Sequence, residues 1–126
     1  KIEFRDLLFK NYFQPSTIIF KREIIDIVGF FEETQRYAEE GNYFMRIARN
    51  FNCYFLNNEL ILFGEEEKLG YGESGLSANL KEMERGELRN FKFVYKQGWI
   101  NPFTYLVIIC FSIFKYIRRV IIVKLR

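Results

Sequence analysis

Residues 36–50 read RYAEEGNYFMRIARN, and this stretch carries the clearest helix signal of the chain. Phe44, Ile47 and Phe51 recur at the spacing of helical turns, which predicts one apolar face. The helix is expected to run from about residue 39 to residue 50. Because an isolated helix of this length is marginal in water, the face predicts packing within a folded domain.

Two adjacent carboxylates, Glu39 and Glu40, fall in the first turn of this helix. Carboxylates there gain about 0.3–1 kcal/mol, because the first N–H groups of a helix have no partner within it. This position therefore explains the pair without any substrate. The two like charges repel each other, however, and the flanking RYA and NYF are partly apolar. Helix stabilisation and acid–base chemistry both stay open as interpretations.

Short apolar runs flank this helix and predict strands. Residues 17–20 are β-favouring, and a short helix is expected over about 21–27, ended by Gly29. The runs CYFL (53–56) and LILF (60–63) read as two further strands. The first part of the chain thus predicts an α/β organisation, or an α+β fragment.

The second part of the chain reads as a loop followed by two helices. Residues 64–77 hold four glycines and five charges and predict a long loop. A helix follows from Ser77 to Gly98, capped by Ser77 or Asn79, and the last helix starts at Pro102. Its predicted core side comprises Leu80, Met83, Leu88, Phe91 and Val94. We divide the chain into residues 1–76 and a helical tail, residues 77–126.

Charge is distributed unevenly between the two parts. Residues 1–80 have a net charge of −4, and residues 81–126 have a net charge of +7. Five basic residues of the tail form one stripe on a helix, which reads as a solvated face because glutamates 82, 84 and 87 are interleaved. These basic residues are Lys81, Arg85, Arg89, Lys92 and Lys96.

The last helix begins with FTYLVIICFSIF, twelve apolar or weakly polar residues. At about 18 Å this run is too short for a hydrocarbon core of about 30 Å. Lys115, Arg118 and Arg119 follow it directly. This pattern predicts a helix that lies in a membrane interface. The rival interpretation packs it on a missing domain or on a second copy of the chain in a homo-oligomer.

The composition excludes several chemistries. The chain has no histidine, which removes Ser-His and Cys-His catalysis and histidine metal sites. Cys53 and Cys110 each lie in apolar runs and are expected to be buried free thiols in a reducing compartment. Nucleic-acid binding is not expected, since the first part is acidic and no recognition motif appears.

Several motifs in order resemble the C-terminal half of a family 2 glycosyltransferase of the GT-A fold. The turn Val28-Gly29-Phe30-Phe31-Glu32-Glu33 is similar to the family's vGGFDE, and residues 39–48 are similar to its EDxxLwlRia. The match covers roughly residues 10 to 65. The segment SGLSANLKEMERGELRNFKFVYKQG also resembles the tail of bacterial members that build surface polysaccharides. This resemblance implies peripheral attachment at the cytoplasmic face of a bacterial inner membrane.

The resemblance implies roles for individual residues. Glu40 matches the carboxylate that deprotonates the acceptor hydroxyl, and Glu39 would bind the acceptor. Arg46 would pair with Glu39 or Glu32, unless it is a solvated helix arginine. Ser16 and Thr17 would lie beneath the acceptor, unless they simply begin a strand. Position 40 carries Glu where the family usually has Asp, and residues 29–31 read Gly-Phe-Phe where the family has Gly-Gly-Phe.

The resemblance also implies parts that this chain lacks. Family members bind the nucleotide-sugar donor with an N-terminal half and a metal-holding Asp-x-Asp, whereas the only aspartates here are Asp6 and Asp26. We expect this segment to be part of a longer protein, with Mg²⁺ or Mn²⁺ bound mainly outside it. Lys68 and Glu73 are weaker candidates for diphosphate and cation contacts.

The predicted function is sugar transfer from a nucleotide-sugar to a sugar or lipid-linked acceptor, with this segment supplying the base. Alone it is expected to be inactive. One alternative is a non-catalytic, membrane-associated interaction module. Another is a fragment that self-associates through exposed β-edges.

Overall fold

The computed structural model describes residues 1–59, 72 and 75–125, and the chain forms two compact units, Lys1–Ile61 and Leu62–Arg126. Each unit has its own helices and its own buried side chains. The boundary predicted after residue 76 separates two functional parts rather than two compact units, and this division stays a prediction.

Helices dominate the described part of the chain, with 61% of its residues in helix and 2% in strand. The described residues form no sheet, and their one isolated antiparallel bridge joins Ile2 to Cys53, with an N–H···O distance of 2.9 Å. The prediction of an α/β, GT-A type fold with a central sheet is therefore wrong for this chain. A strand needs a neighbour that pairs with its N–H and C=O groups, and β-favouring residues alone do not supply one.

The predicted strand over residues 17–20 shows this directly. Pro15–Thr17 form a 3₁₀ turn whose last N–H donates to the carbonyl of Gln14 at 2.9 Å. Proline at the first position favours the turn, because its ring fixes φ near the helical value. The chain is then extended, but Ile19 is 99% exposed and lies in no ladder. The sequence predicted the extended conformation but not the absence of a pairing strand.

The predicted strand over residues 53–56 is also wrong, apart from the bridge at Cys53. Its other side chains are exposed, so no second strand covers them: Tyr54, Phe55 and Leu56. The companion strand predicted over residues 60–63 lies outside the described residues.

Three helices form the first unit: α1 (Phe4–Leu7), α2 (Glu23–Val28) and α3 (Glu39–Asn50). α3 has the predicted bounds and packs against both other helices. Its predicted apolar face is confirmed by the burial of Phe44 and Ile47, and the buried arc is wider than predicted. The arc also includes Asn42, Tyr43 and Met45.

Gly29 ends α2, as predicted. Its N–H donates to the carbonyl of Ile25 at 2.8 Å, and its φ of +78° lies in the region that favours glycine. The helix itself is shifted slightly from the predicted range of 21–27. The chain therefore changes direction at Gly29 and enters the turn that meets α3.

Two long helices, α4 (Leu80–Lys96) and α5 (Pro102–Lys124), form an antiparallel hairpin in the second unit, after a 3₁₀ turn at Leu76–Ala78. Asn79 caps α4, accepting from the N–H of Glu82 at 3.1 Å. The predicted ends are confirmed by Gly98, at φ +69°, and by Pro102 in the first turn of α5. Asn101 is a cap that was not predicted, and its side chain accepts from the N–H of Thr104 at 2.7 Å.

The hairpin core is only partly the predicted one. Phe91 and Val94 are buried together with Ile108. Three other predicted core residues are half-buried: Leu80, Met83 and Leu88. Cys110 is exposed and Cys53 is half-buried, so the expected burial of both thiols is wrong for Cys110.

A group of charged and polar side chains lies between α4 and α5, and we call it the ionic cluster: Glu84, Glu87, Ser112, Lys115 and Arg119. The Ser112 hydroxyl donates to Glu84 at 2.8 Å and to Glu87 at 3.2 Å. Arg119 contacts both carboxylates at 3.3 Å, and the Lys115 amine lies 3.7 Å from Glu87. Glu84 is buried, so the interpretation of this glutamate as part of a solvated face is wrong.

Burial raises the pKa of the Glu84 carboxyl above its usual value, and the charge of Glu87 acts in the same direction. The Ser112 hydrogen bond and the charges of Arg119 and Lys115 oppose this shift without cancelling it. The folded state therefore binds a proton at Glu84 more readily than the unfolded state does.

This shift predicts that Glu84→Gln changes the pH dependence of stability. A raised folded-state pKa stabilises the fold below the ordinary pKa of the group, and this contribution is lost as the pH rises through the raised value. Relative to Glu84→Gln, the wild type should therefore lose stability as the pH rises above the ordinary pKa of a glutamate and through the raised value. Urea unfolding followed by the fluorescence of Trp99, the only tryptophan, measures the difference. Glu82→Gln is the control, and a relative gain of wild-type stability with pH would contradict the assignment.

Candidate functional site

The first turn of α3 carries both candidate acids, as predicted. Glu39 and Glu40 are half-buried. The residue before them, Ala38, is buried and has a left-handed backbone with φ 55° and ψ 26°. A left-handed non-glycine residue is uncommon, and its burial fixes the direction in which α3 begins.

An aromatic cluster lies one helical turn beyond the acids. Tyr43 and Phe44 are at i+4 from Glu39 and Glu40 respectively, so each ring shares a helical face with one carboxylate. Tyr43 is 1% exposed and stacks on Phe31 with a centroid distance of 4.2 Å. The acids therefore stand at the edge of a packed apolar surface rather than on an isolated helix end.

The segment that carries Ser16 and Thr17 is held against this cluster. The ring of Phe13 meets Phe44 edge-on at 5.5 Å, and the ring of Phe20 meets Tyr43 at 6.1 Å. Both candidate residues between these anchors are exposed, and the Thr17 hydroxyl donates to the carbonyl of Gln14 at 3.0 Å. Ser16 and Thr17 lie in a turn beside α3, not at the start of a strand.

Arg46 holds the turn after α2 against α3. Its guanidinium donates to the carbonyl of Val28 at 2.6 Å, to the carbonyl of Phe30 at 2.5 Å and to the side chain of Asn42 at 3.0 Å. Within the described residues no ion pair joins Arg46 to Glu39. Arg46 is therefore neither solvated nor paired with that acid, and it positions the backbone of the neighbouring turn.

The surroundings of Arg46 shift its pKa in two directions. Burial lowers the pKa of the guanidinium, while Tyr43 and Glu32 raise it. An arginine stays protonated near neutral pH in spite of such a shift. The positive charge also lies over the ring of Tyr43, with the guanidinium carbon 5.2 Å from the centroid.

The Gly-Phe-Phe turn places its two aromatic rings in different surroundings. The side chain of Phe30 is 73% exposed while its carbonyl accepts from Arg46. The ring of Phe31 stacks on Tyr43. Phe30, which stands where the resembled motif has its second glycine, thus exposes its ring to solvent. The turn remains bonded to α3.

Replacing Arg46 by methionine should lower the free energy of unfolding of the first unit by about 2 kcal/mol, because hydrogen bonds to a charged donor are lost. Arg46→Lys should not restore it, since an ammonium lacks the planar fork that reaches several acceptors. The thiol of half-buried Cys53, in a Cys110→Ser background, reports unfolding by its labelling rate in urea. Arg49→Met on the same helix is the control, and an equal loss there would contradict the role of Arg46.

The residues described do not form a metal site. No group of three or more Cys, Asp or Glu side chains in that part of the chain is arranged to hold a metal ion. Lys68 and Glu73, the weaker candidates, lie outside the described residues.

Two features of the site were not predicted from the sequence. Two of the three acceptors of Arg46 are the main-chain carbonyls of Val28 and Phe30, and nothing in the residue types marks them. The stacking of Phe31 on Tyr43 had a partial signal, because aromatic residues stand two positions after Gly29 and three positions after Glu40. In both cases the missing information was how the 28–31 turn meets α3.

Comparison with known proteins identifies no family, since no family model, curated protein or solved structure matches the chain.

Proposed function

We propose that this segment supplies the acceptor side of an enzyme that transfers a sugar from a nucleotide-sugar to a hydroxyl group in surface polysaccharide synthesis. The supporting observation is the position of Glu39 and Glu40, which stand half-buried at the edge of an aromatic cluster. Substrate sites commonly combine such apolar walls with a few fixed polar groups. The motif resemblance supports the reaction type.

Glu40 is the proposed general base. The acceptor oxygen forms a bond to the anomeric carbon as the bond from that carbon to the diphosphate oxygen breaks. The acceptor proton passes to the Glu40 carboxylate, and the leaving diphosphate takes the bonding electron pair. A base must lie about 2.6–3.2 Å from the proton-bearing oxygen, and the fixed start of α3 suits that requirement.

Glu39 is the proposed acceptor ligand, and Arg46 is a positioning residue. A carboxylate next to the base can accept a hydrogen bond from a second sugar hydroxyl. Arg46 keeps the 28–31 turn against α3 and so supports the wall beside the acids. Ser16 and Thr17 lie on the segment that Phe13 and Phe20 hold against the same cluster, within the proposed acceptor region.

The first unit also has a surface suited to a donor-binding half. Large exposed apolar areas mark interaction sites, and several apolar side chains of this unit are at least half exposed. A donor half that packs here would cover them and would carry the cations that stabilise the leaving diphosphate. These residues are Ile19, Ile27, Phe30, Tyr54, Phe55 and Leu56.

The test compares the full-length protein with residues 1–126 alone. Each is mixed with a panel of nucleotide-sugars, an oligosaccharide or lipid-linked acceptor, and Mg²⁺ or Mn²⁺, and the release of nucleoside diphosphate is followed. We expect acceptor-dependent release from the full-length protein and none from the segment. If the full-length protein uses no donor, the chain is instead a non-catalytic module in which the acids only stabilise α3.

A further inference from the structure

The face of α5 that points away from α4 is apolar along most of its length. Every exposed position of α5 from residue 103 to residue 117 carries an apolar side chain or a cysteine. At 3.6 residues per turn, the exposed positions span an arc of roughly 160°. We call this the α5 outer face: Phe103, Leu106, Val107, Cys110, Phe111, Ile113, Phe114, Ile117 and Ile121.

The opposite side of the hairpin is polar. α5 turns Ile108, Ser112 and Arg119 toward α4, where they are buried or bonded to the ionic cluster. α4 in turn exposes its five basic residues, with Arg85 paired to Glu82 at 2.6 Å. The two helices together therefore form an amphipathic body with one apolar and one polar side.

Charge on α5 is positive only, and it is concentrated toward the C-terminus. Residues 101–126 contain no Asp or Glu. Lys115 and Arg119 are engaged by the ionic cluster, whereas Arg118 and Lys124 are exposed. At 3.6 residues per turn, Arg118 and Lys124 fall within the same arc, so the C-terminal part of the outer face carries two exposed cations.

We propose that the α5 outer face lies in the interfacial region of an anionic lipid bilayer, with α4 toward water. Such binding combines a buried apolar face with attraction of Lys and Arg to anionic headgroups. A helix–helix seam with a second copy would need only the narrower stripe formed by two of seven positions. Among the described residues no helix has the length and hydropathy to cross a membrane.

Vesicle flotation of the full chain tests the proposal. We expect binding to vesicles of phosphatidylethanolamine with about one third phosphatidylglycerol, and much weaker binding to phosphatidylcholine alone. Phe114→Ser with Ile117→Ser should lower the partition coefficient at least about tenfold, because each buried methylene contributes to binding. Arg118→Gln and Lys124→Gln should each cost about fivefold, on the anionic vesicles only.

A matched pair in the first unit serves as the control. Phe30 and Ile27 are 73% and 66% exposed, and Phe114 and Ile117 are 66% and 50% exposed. Phe30→Ser with Ile27→Ser should leave flotation unchanged. A polarity-sensitive dye on Cys110, in a Cys53→Ser background, should shift to the blue when anionic vesicles are added, because Cys110 lies within the outer face.

Two results would overturn the proposal. One is flotation that is absent, or that falls equally in the control pair. The other is concentration-dependent dimerisation without lipid that Phe114→Ser with Ile117→Ser abolishes, which would make the outer face a contact between copies. Trp99 fluorescence in urea verifies that the α5 variants remain folded, and the labelling rate of Cys53 does so for the control pair in the first unit. None of these outcomes depends on sugar transfer, so the two proposals are tested separately.

Discussion

If Glu40 is the base of the proposed transfer, Glu40→Gln in the full-length protein is expected to lower kcat by about 10²–10⁴-fold, the usual contribution of a positioned general base. Glutamine keeps the size and hydrogen-bonding shape of the side chain but cannot take the proton from the acceptor hydroxyl. KM for the acceptor should change little, because Glu39 and the aromatic cluster remain. The measurement is steady-state release of nucleoside diphosphate at saturating donor over a range of acceptor concentrations.

Two controls separate the base from a helix-stabilising acid. Glu40→Asp restores the residue of the resembled motif and should retain far more turnover than glutamine, with a loss set by a shift of about 1 Å in the carboxylate. Glu82 occupies a first-turn position on α4, and Glu82→Gln should leave turnover unchanged. Near-normal turnover in Glu40→Gln would remove Glu40 from the reaction and leave it as a first-turn acid.

Arg119→Met should lower the free energy of unfolding of the helical hairpin by about 3 kcal/mol, because removing the cation leaves two carboxylates close together with little compensation. Arg119 contacts Glu84 and Glu87, whose side chains are 7% and 23% exposed. The unfolding midpoint in urea, read from Trp99 fluorescence, measures the loss.

The neighbouring arginine is a matched control. Arg118 is exposed, so Arg118→Met should change stability by less than about 0.5 kcal/mol. Adding Glu84→Gln to Arg119→Met should recover part of the loss, since one buried negative charge is then removed. Equal effects at residues 118 and 119 would show that the ionic cluster contributes nothing specific.

Local signals predicted much of the helical structure. The bounds of α3, the cap at Asn79 and the ends at Gly29 and Gly98 follow from spacing, side-chain caps and glycine. The first-turn position of the two acids followed from the same signals. These features depend on residues within a few positions of one another, which a sequence displays directly.

Features that depend on distant residues were not predicted. The β-favouring runs at 17–20 and 53–56 lack paired neighbours, which their own composition cannot reveal. The acceptors of Arg46 lie 16 and 18 residues away in a turn. Glu84 resembles its solvated neighbours until the register of α4 on α5 places it against Ser112, 28 residues later.

The left-handed residue Ala38 has a consequence for how this segment tolerates variation. Its buried methyl group and its left-handed φ leave the backbone few alternative conformations at the start of α3. Exchanges at exposed positions of the preceding loop, such as Glu33 and Arg36, should leave the aim of the carboxylates intact. A β-branched residue at position 38 would disfavour the left-handed conformation and change the direction in which α3 begins.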